Sequence, residues 1–349
     1  MIAVIGEALF DLVVGGDGDV AAHPGGGPFN TARALARLGV PSAFAGGLSD
    51  DGLGRQLRAR LDADGVLFGL PSLSGRPATL SIADLDDDGV ARYRFYLDQT
   101  AAADVEYDTL WSGLSALPGS LAAVHVGALG LVAEPVASSC ERLITSGLPA
   151  QTLVMVDPNC RPGAIGDRGA YMSRLFRIME RADIVKASAD DLAYLMPGEP
   201  IGQAAGALLD QGAALVIVTD GPRPAAAFLP SGREIRVDVP VVEVADTIGA
   251  GDAFGGAFLA YWFLGERSRT NGARGDGSCA GLDRIRAGFT DTGAIRDALT
   301  FAVEAAALTT TRPGAEPPRL AELTSRSLRW TPGRYGRSSR LIFRVGRRE

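Results

Sequence analysis

Short apolar runs recur along the chain, separated by longer helical patterns, and this alternation limits the fold more than any other feature. The runs at 2–5, 153–156, 183–185, 215–218 and 225–229 show little polar alternation, as expected of strands buried on both faces. Between them, 30–38, 170–181 and 202–210 space their apolar residues as helices do. Strands covered on both faces need a helical layer on each side. The expected class is therefore α/β, a three-layer sandwich around a mostly parallel central sheet. Two stretches break the rhythm. Residues 13–20 and 79–96 alternate polar and apolar, and Asp86-Asp87-Asp88-Gly89 has the composition of a hairpin turn. They suit a small antiparallel β-sheet lid drawn from about 12–20 and 79–98.

Charge and cysteine content narrow the class further. A net charge of −7 with pI near 5.1 argues against nucleic acid or an anionic membrane as partner. The N-terminus lacks the basic region of a signal peptide, and no stretch has the length and apolarity of a membrane span. Three cysteines and two histidines at unrelated spacings do not form a zinc site or a disulfide framework, which implies a reducing, cytoplasmic setting. Residues 1–324 are expected to form one domain, with a Gly/Arg/Asp-rich surface-loop insertion at 265–292. The last stretch, 325–349, holds eight arginines and one glutamate and reads as a basic extension in which 341–343 could add an edge strand. Lys186 is the only lysine in the chain.

Two segments could carry chemistry. Asp246-Thr247-Ile248-Gly249-Ala250-Gly251-Asp252 leads directly into an apolar helical run. Its glycines let the backbone turn and present N–H groups, and a helix N-terminus adds positive potential, so an anion fits there. Asp252 then either caps the helix or stands beside the anion to deprotonate an attacking hydroxyl. The second segment, Gly25-Gly26-Gly27-Pro28-Phe29-Asn30, opens another helix. Asn30 could cap that turn, or offer donor and acceptor to a polyhydroxy ligand. The spacing fits neither a Walker loop nor a GxGxxG fingerprint.

Further segments fill the interval: Gly6-Glu7 with Asp11, Asp157-Pro158-Asn159-Cys160-Arg161-Pro162, Thr219-Asp220-Gly221, and Thr311-Arg312-Pro313-Gly314-Ala315. In this order, over about residues 1–320, the set resembles the ribokinase-like (PfkB) carbohydrate kinases, and most nearly their fructokinase branch. The resemblance implies a ribokinase-like fold and ATP-dependent phosphorylation of a sugar's primary hydroxyl, with fructose to fructose 6-phosphate as first choice. A 2-keto-3-deoxygluconate kinase, a nucleoside kinase and a catalytically impaired sugar-binding regulator are the alternatives. By the same resemblance Asp252 is the base, and the amides of Gly249, Ala250 and Gly251 form the anion hole. Asp11, Gly26, Gly27 and Asn30 meet the sugar; Thr219 and Gly221 meet the nucleotide, with Ala306 on a helix bordering the adenine. Asp246 and the Ile248 carbonyl fall where many members bind a monovalent cation such as K+. The implied partners are a sugar and ATP with Mg2+, and a homodimer joined through the lid.

The sequence departs from the family pattern in places. The Asn-x-x-Glu motif that organises magnesium and phosphates is here Ser188-Ala189-Asp190-Asp191, and Pro224 stands where the nucleotide loop usually has glycine. Several side chains have two readings. Arg161 could clamp a carboxylate or phosphate, or pair with Asp157. Lys186 could neutralise nucleotide phosphate or be exposed to solvent. Arg92 and Arg94, sharing one face of a lid strand, could close over the sugar or be solvated. His125, in an apolar run, is expected to be a hydrogen-bonded core histidine.

Overall fold

In the first strand, successive side chains enter two different cores: Ile2 and Val4 one, Ala3 and Ile5 the other. A strand that buries both faces in this way must be interior to a layered fold. A computed structural model describes residues 1–14, 19–85, 91–269 and 279–326. Its strands are β1 (Ile2–Ile5), β2 (Leu9–Val14), β3 (Val20–Gly25), β4 (Ser42–Phe44), β5 (Leu67–Phe68), β6 (Leu80–Leu85) and β7 (Ala91–Tyr96). They continue with β8 (Ala123–Gly127), β9 (Leu153–Asp157), β10 (Ile184–Ser188), β11 (Leu215–Asp220), β12 (Arg223–Phe228) and β13 (Glu234–Val237). The helices are α1 (Gly27–Arg37), α2 (Gly52–Asp64), α3 (Tyr107–Ser115), α4 (Val136–Arg142), α5 (Arg168–Met179) and α6 (Ala189–Leu195). After them come α7 (Ile201–Asp210), α8 (Ala250–Arg269), α9 (Cys279–Gly288), α10 (Thr292–Thr310) and α11 (Leu320–Arg326).

Nine strands form one sheet in the order β13-β12-β11-β10-β9-β8-β1-β4-β5. All its pairings are parallel except β11–β12 and β12–β13. One face packs on α1, α2, α8, α9 and α10, through Leu35, Leu61, Phe258, Ile285 and Ala298 among others. The opposite face packs on α3 to α7, through Leu110, Cys140, Leu175, Leu192 and Leu208. This is the three-layer sandwich the apolar runs imply. Each fully buried aliphatic side chain contributes about 1.5–3 kcal/mol, so the sheet is a rigid platform. No described helix is long and apolar enough to cross a membrane.

The second sheet has four strands in the order β3-β2-β6-β7. It differs from expectation at its centre, where β2 and β6 pair in parallel. Most of the sandwich's first half-layer lies between them in sequence, and so long a crossover permits parallel pairing where a hairpin would not. The expected turn at 86–89 lies outside the described residues, as do 327–349 of the basic extension.

The expected surface loop at 265–292 is a correction. Helix α8 continues to Arg269, and 279–288 form α9, while 270–278 of the expected loop lie outside the described residues. Leu282, Ile285 and Phe289 recur at helical spacing and are buried, with Phe289 edge-on to Trp262 at 5.1 Å. Arg286 ties the helix to the sheet by donating from Nε to Asp183 Oδ1 at 2.8 Å. The Gly/Arg/Asp composition concealed this apolar stripe.

Candidate active site

Strands β1, β8, β9, β10 and β11 run parallel and end on one edge of the platform. Open α/β sheets hold ligands at that edge, because the loops leaving the strands form a crevice there. Asp252 stands over it in the first turn of α8 and is 9% exposed. Asn30 Nδ2 donates to Asp252 Oδ2 at 2.9 Å, across 222 residues of sequence. Asp252's other oxygen faces Gly27, where a Cβ would lie 3.2 Å from Oδ1 and 3.0 Å from Asn159 Nδ2. Burial pushes the Asp252 carboxyl up to about 6; Asn30, Lys186 and Arg161 oppose that push and Asp157 adds to it.

The turn before Asp252 is held from the side. Gly249 has φ +77°, and a Cβ there would sit 2.5 Å from that of Ala315, so only glycine fits. Asp246 joins the two loops: Oδ1 accepts the Ile248 N–H at 3.0 Å and Oδ2 the Gly314 N–H at 2.8 Å. Arg33, almost wholly buried, donates to the Ala315 carbonyl at 2.8 Å and pairs with Asp64 and Glu316. Burial would raise Glu316, but Arg37 and Arg33 hold its carboxyl down at about 2. The first turn of α8 thus sits on a fixed backbone, in which the Ala250 N–H donates to the Thr247 carbonyl at 3.3 Å and the Ala253 N–H to that of Gly249 at 2.8 Å.

The four-stranded sheet supplies the opposite wall. Asp11 accepts from Ser81 Oγ at 2.6 Å; burial raises its carboxyl, against the pull of Ser81, Arg161 and His23. Glu7 anchors the second glycine segment, taking the N–H of Gly27 and that of Leu129 at 3.0 Å each. Burial pushes its carboxyl up to about 8, against the pull of its own amide, the Gly27 amide and Arg161. Gly26, at φ +111°, passes so close that a Cβ would lie 2.6 Å from the Glu7 carbonyl oxygen.

Several sequence readings are settled here. Lys186 is not exposed: it is buried and donates to Asp157 Oδ2 at 2.8 Å. Asp157 therefore pairs with Lys186 rather than with Arg161, whose guanidinium reaches the Cys160 carbonyl and faces Glu7, Asp11 and Asp252. His125 is a core residue, yet neither ring nitrogen has a hydrogen-bond partner, and burial drives its pKa down to about 3. In the β6–β7 register, Arg94 pairs with Ile82 while Phe95 pairs with Ser81, which puts Arg94 on the face away from Asp11. Tyr93 and Phe95 share the Asp11 face, stacked at 6.2 Å. Strand alternation showed that residues 92 and 94 share a face, but only the pairing fixes which face meets the site.

Ser188 and Asp191 form a capping box at the start of α6. Asp191 Oδ2 accepts the Ser188 N–H at 2.7 Å and Oδ1 the Cys160 N–H at 2.6 Å. One oxygen is thus used in the cap of α6 and the other in ordering the loop after β9. Thr219 lies beside Ser188 in the β10–β11 register, with Gly221 at φ +55° just beyond it. Ala306 is half-buried on α10. Asn159, Ser81 and Tyr93 had no assignment from sequence. A signal existed only for Asn159, a residue type that tolerates the left-handed conformation it adopts here at φ +39°.

The family description pfkB family carbohydrate kinase matches residues 1–321. The chain is a pfkB-family carbohydrate kinase. This kinase is 36% identical over 265 residues to a fructokinase of Rhizobium leguminosarum bv. trifolii, covering 74% of its own length and 79% of the relative. Among solved structures it is similar to the fructokinase of Xylella fastidiosa with bound ATP, with TM-score 0.76 and 27% identity over 93% of this kinase and 97% of that chain. It also resembles a double-mutant fructokinase of Vibrio cholerae O395 in its fructose, ADP and potassium ion bound form, with TM-score 0.73 and 26% identity over 93% and 97%.

Proposed function

We propose that this kinase is an ATP-dependent fructokinase that converts fructose to fructose 6-phosphate. The observation that carries the reading is the 2.9 Å bond from Asn30 to Asp252, which joins the two glycine segments into one site. In it, Asp252 Oδ1 takes the proton of the primary hydroxyl as that oxygen bonds to the γ-phosphorus and the bond to ADP breaks. The amides of Gly249, Ala250 and Gly251 hold the charge on the transferring group. Asp11, Gly26, Gly27, Asn30 and Arg161 orient the sugar, while Ser188, Thr219, Gly221 and Ala306 border the nucleotide. The four-stranded sheet closes over the sugar and keeps water from the phosphoryl group.

Magnesium supplies charge neutralisation on the ATP phosphates. Asp191 is buried, and its Oδ2 accepts from both the N–H and the Oγ of Ser188 while Oδ1 accepts from the Cys160 N–H, which fits a structural role better than a direct ligand. Asp246 and the Ile248 carbonyl fit a monovalent cation better, since each carboxylate oxygen accepts only one hydrogen bond and keeps a lone pair. The outer face of the four-stranded sheet carries Val20 at 58% and Tyr96 at 53% exposure, which supports a homodimer through that sheet. The buried free thiols of Cys140 and Cys160 suit a cytoplasmic setting.

An ATP-consumption screen over fructose, glucose, ribose, 2-keto-3-deoxygluconate and adenosine tests the reading. Fructose is expected to give the highest kcat/KM. A higher value for any other acceptor overturns the choice of sugar, and no turnover with any of them overturns the activity.

A further inference from the structure

Lys186 is the one lysine in a chain whose other basic side chains are all arginine. It sits on β10 with its Nζ 2.8 Å from Asp157 Oδ2 on the adjacent strand, and both side chains are about 95% buried. Directly above lies the catalytic turn: a Cβ on Gly251 would come 3.3 Å from Nζ. The ammonium thus lies against the backbone of the residue preceding Asp252. A compact point charge fits that place, whereas a guanidinium is a wide planar fork.

The pair is not explained by stability. Desolvating two charges commonly offsets their attraction, and an apolar pair of like volume would serve a sheet core as well or better. Asp157 Oδ1 has no hydrogen-bond partner, so the pair is not even fully satisfied. Its place beneath the turn accounts for it.

We propose that Lys186, with Asp157 as its counter-ion, is a positioning residue for the phosphoryl-transfer step, its charge acting from beneath the turn to keep Asp252 ionised and ready to take the hydroxyl proton. The inference rests on the reading of Asp252 as the base. The groups facing Asp252 are Lys186 from β10, Asp157 from β9, Arg161 from the loop after β9, Glu7 from the loop after β1, and neutral Asn30 from α1. Lys186 and Arg161 favour its charged form and Asp157 opposes it, while Glu7, pushed up to about 8, carries no charge where Asp252 titrates. Burial disfavours the ammonium most, but Asp157, with Asp191 from α6 and Asp252 itself, together raise the Lys186 pKa, so it stays charged. His125 from β8 stays neutral and adds no charge.

The test is the pH profile of kcat at saturating fructose and Mg–ATP for wild type, Lys186→Met, Asp157→Asn and the double variant. The acid-limb midpoint should rise by about 1 pH unit in Lys186→Met and fall by about 1 in Asp157→Asn. In the double variant, with both charges gone, it should return to within about 0.5 unit of wild type. Shifts in the same direction, or none, overturn the proposal. If Lys186→Met does not fold, Asp157→Asn and the double variant still decide: a midpoint lower in the former supports the proposal, and coincident midpoints overturn it. A second readout needs no activity. Protein labelled with 13Cε-lysine has one lysine resonance, expected to inflect near pH 6 as Asp252 titrates and to lose that inflection in Asp252→Asn. A resonance with no inflection in wild type overturns the proposal. Asp252→Asn also separates the two ideas: if it keeps more than half of wild-type turnover, the base reading fails, whereas an inactive Asp252→Asn with unmoved midpoints in the other variants fails this inference alone.

Discussion

Asp252 is carried by a helix packed on a sheet that is buried on both faces, whereas Asp11 is carried by a four-stranded sheet whose outer face exposes Val20 and Tyr96. Around Asp252 the fixing groups come from α1, β9 and β10, and the turn before it is held by Asp246 and Arg33. Around Asp11, among the described residues, the side-chain bond comes from Ser81 of the same small sheet. The first carboxylate is thus immobilised by the platform, and the second moves with whatever its sheet does. A base must be held to a few tenths of an ångström, while a group that recognises a sugar must let it enter and leave. On the proposed reading, with Asp252 as the base and Asp11 as a sugar contact, the two sheets divide these demands.

The largest expected effect is at the platform. Asp252→Asn should lower kcat by at least ~10²-fold while leaving the KM for fructose nearly unchanged. Steady-state kinetics decide it, and a variant that loses sugar affinity instead would erase the contrast between the two sheets. Asp11→Asn should do the reverse, raising the KM for fructose about 10-fold or more with kcat within about threefold, as for loss of one charge-assisted hydrogen bond. A fall in kcat with unchanged KM would place Asp11 with the catalytic turn.

Arg161→Ala lies between the sheets and sharpens the choice of sugar. With fructose the KM should rise less than for Asp11→Asn, because Arg161 meets no anion on that substrate. A keto acid would lose a bidentate contact of about 1.5–3 kcal/mol, so a steeper KM rise with 2-keto-3-deoxygluconate would favour that substrate.

The smallest effect concerns the clamp beside Gly249. The Glu316 carboxyl is held at about 2, below its ordinary 4.5. Its contribution to stability is therefore complete above pH 4.5 and is lost as the pH falls toward 2. Glu316→Gln should lower Tm by on the order of 2 °C at pH 7, since the group is partly exposed. The gap to wild type should close as the pH approaches 2. A constant gap across that range would show that the carboxylate's charge plays no part in the clamp.

The unbroken apolar runs determined the platform by themselves, because a strand buried on both faces has no other neighbour than helices. The two glycine segments were equally legible, since tight turns over an anion demand glycine whatever surrounds them. What the linear chain could not show were pairings between distant residues. Lys186 and Asp157 are 29 residues apart, and only the register of β9 and β10 makes them a buried pair. Asp191 reads as a magnesium ligand by analogy, and only the fold brings the Cys160 amide to it. The same holds for Tyr93, which took the place expected of its neighbouring arginines because β6 pairs in a register that turns it toward Asp11. Composition hid α9, whose buried Leu282 and Ile285, with Phe289 just after it, gain their meaning only in the core that Trp262 shares. Local conformational preference and hydrophobic period are properties of neighbours in sequence and can be read there. Which charge meets which, and which face of a strand meets the site, depends on close packing between distant segments, and that was decided by the tertiary structure alone.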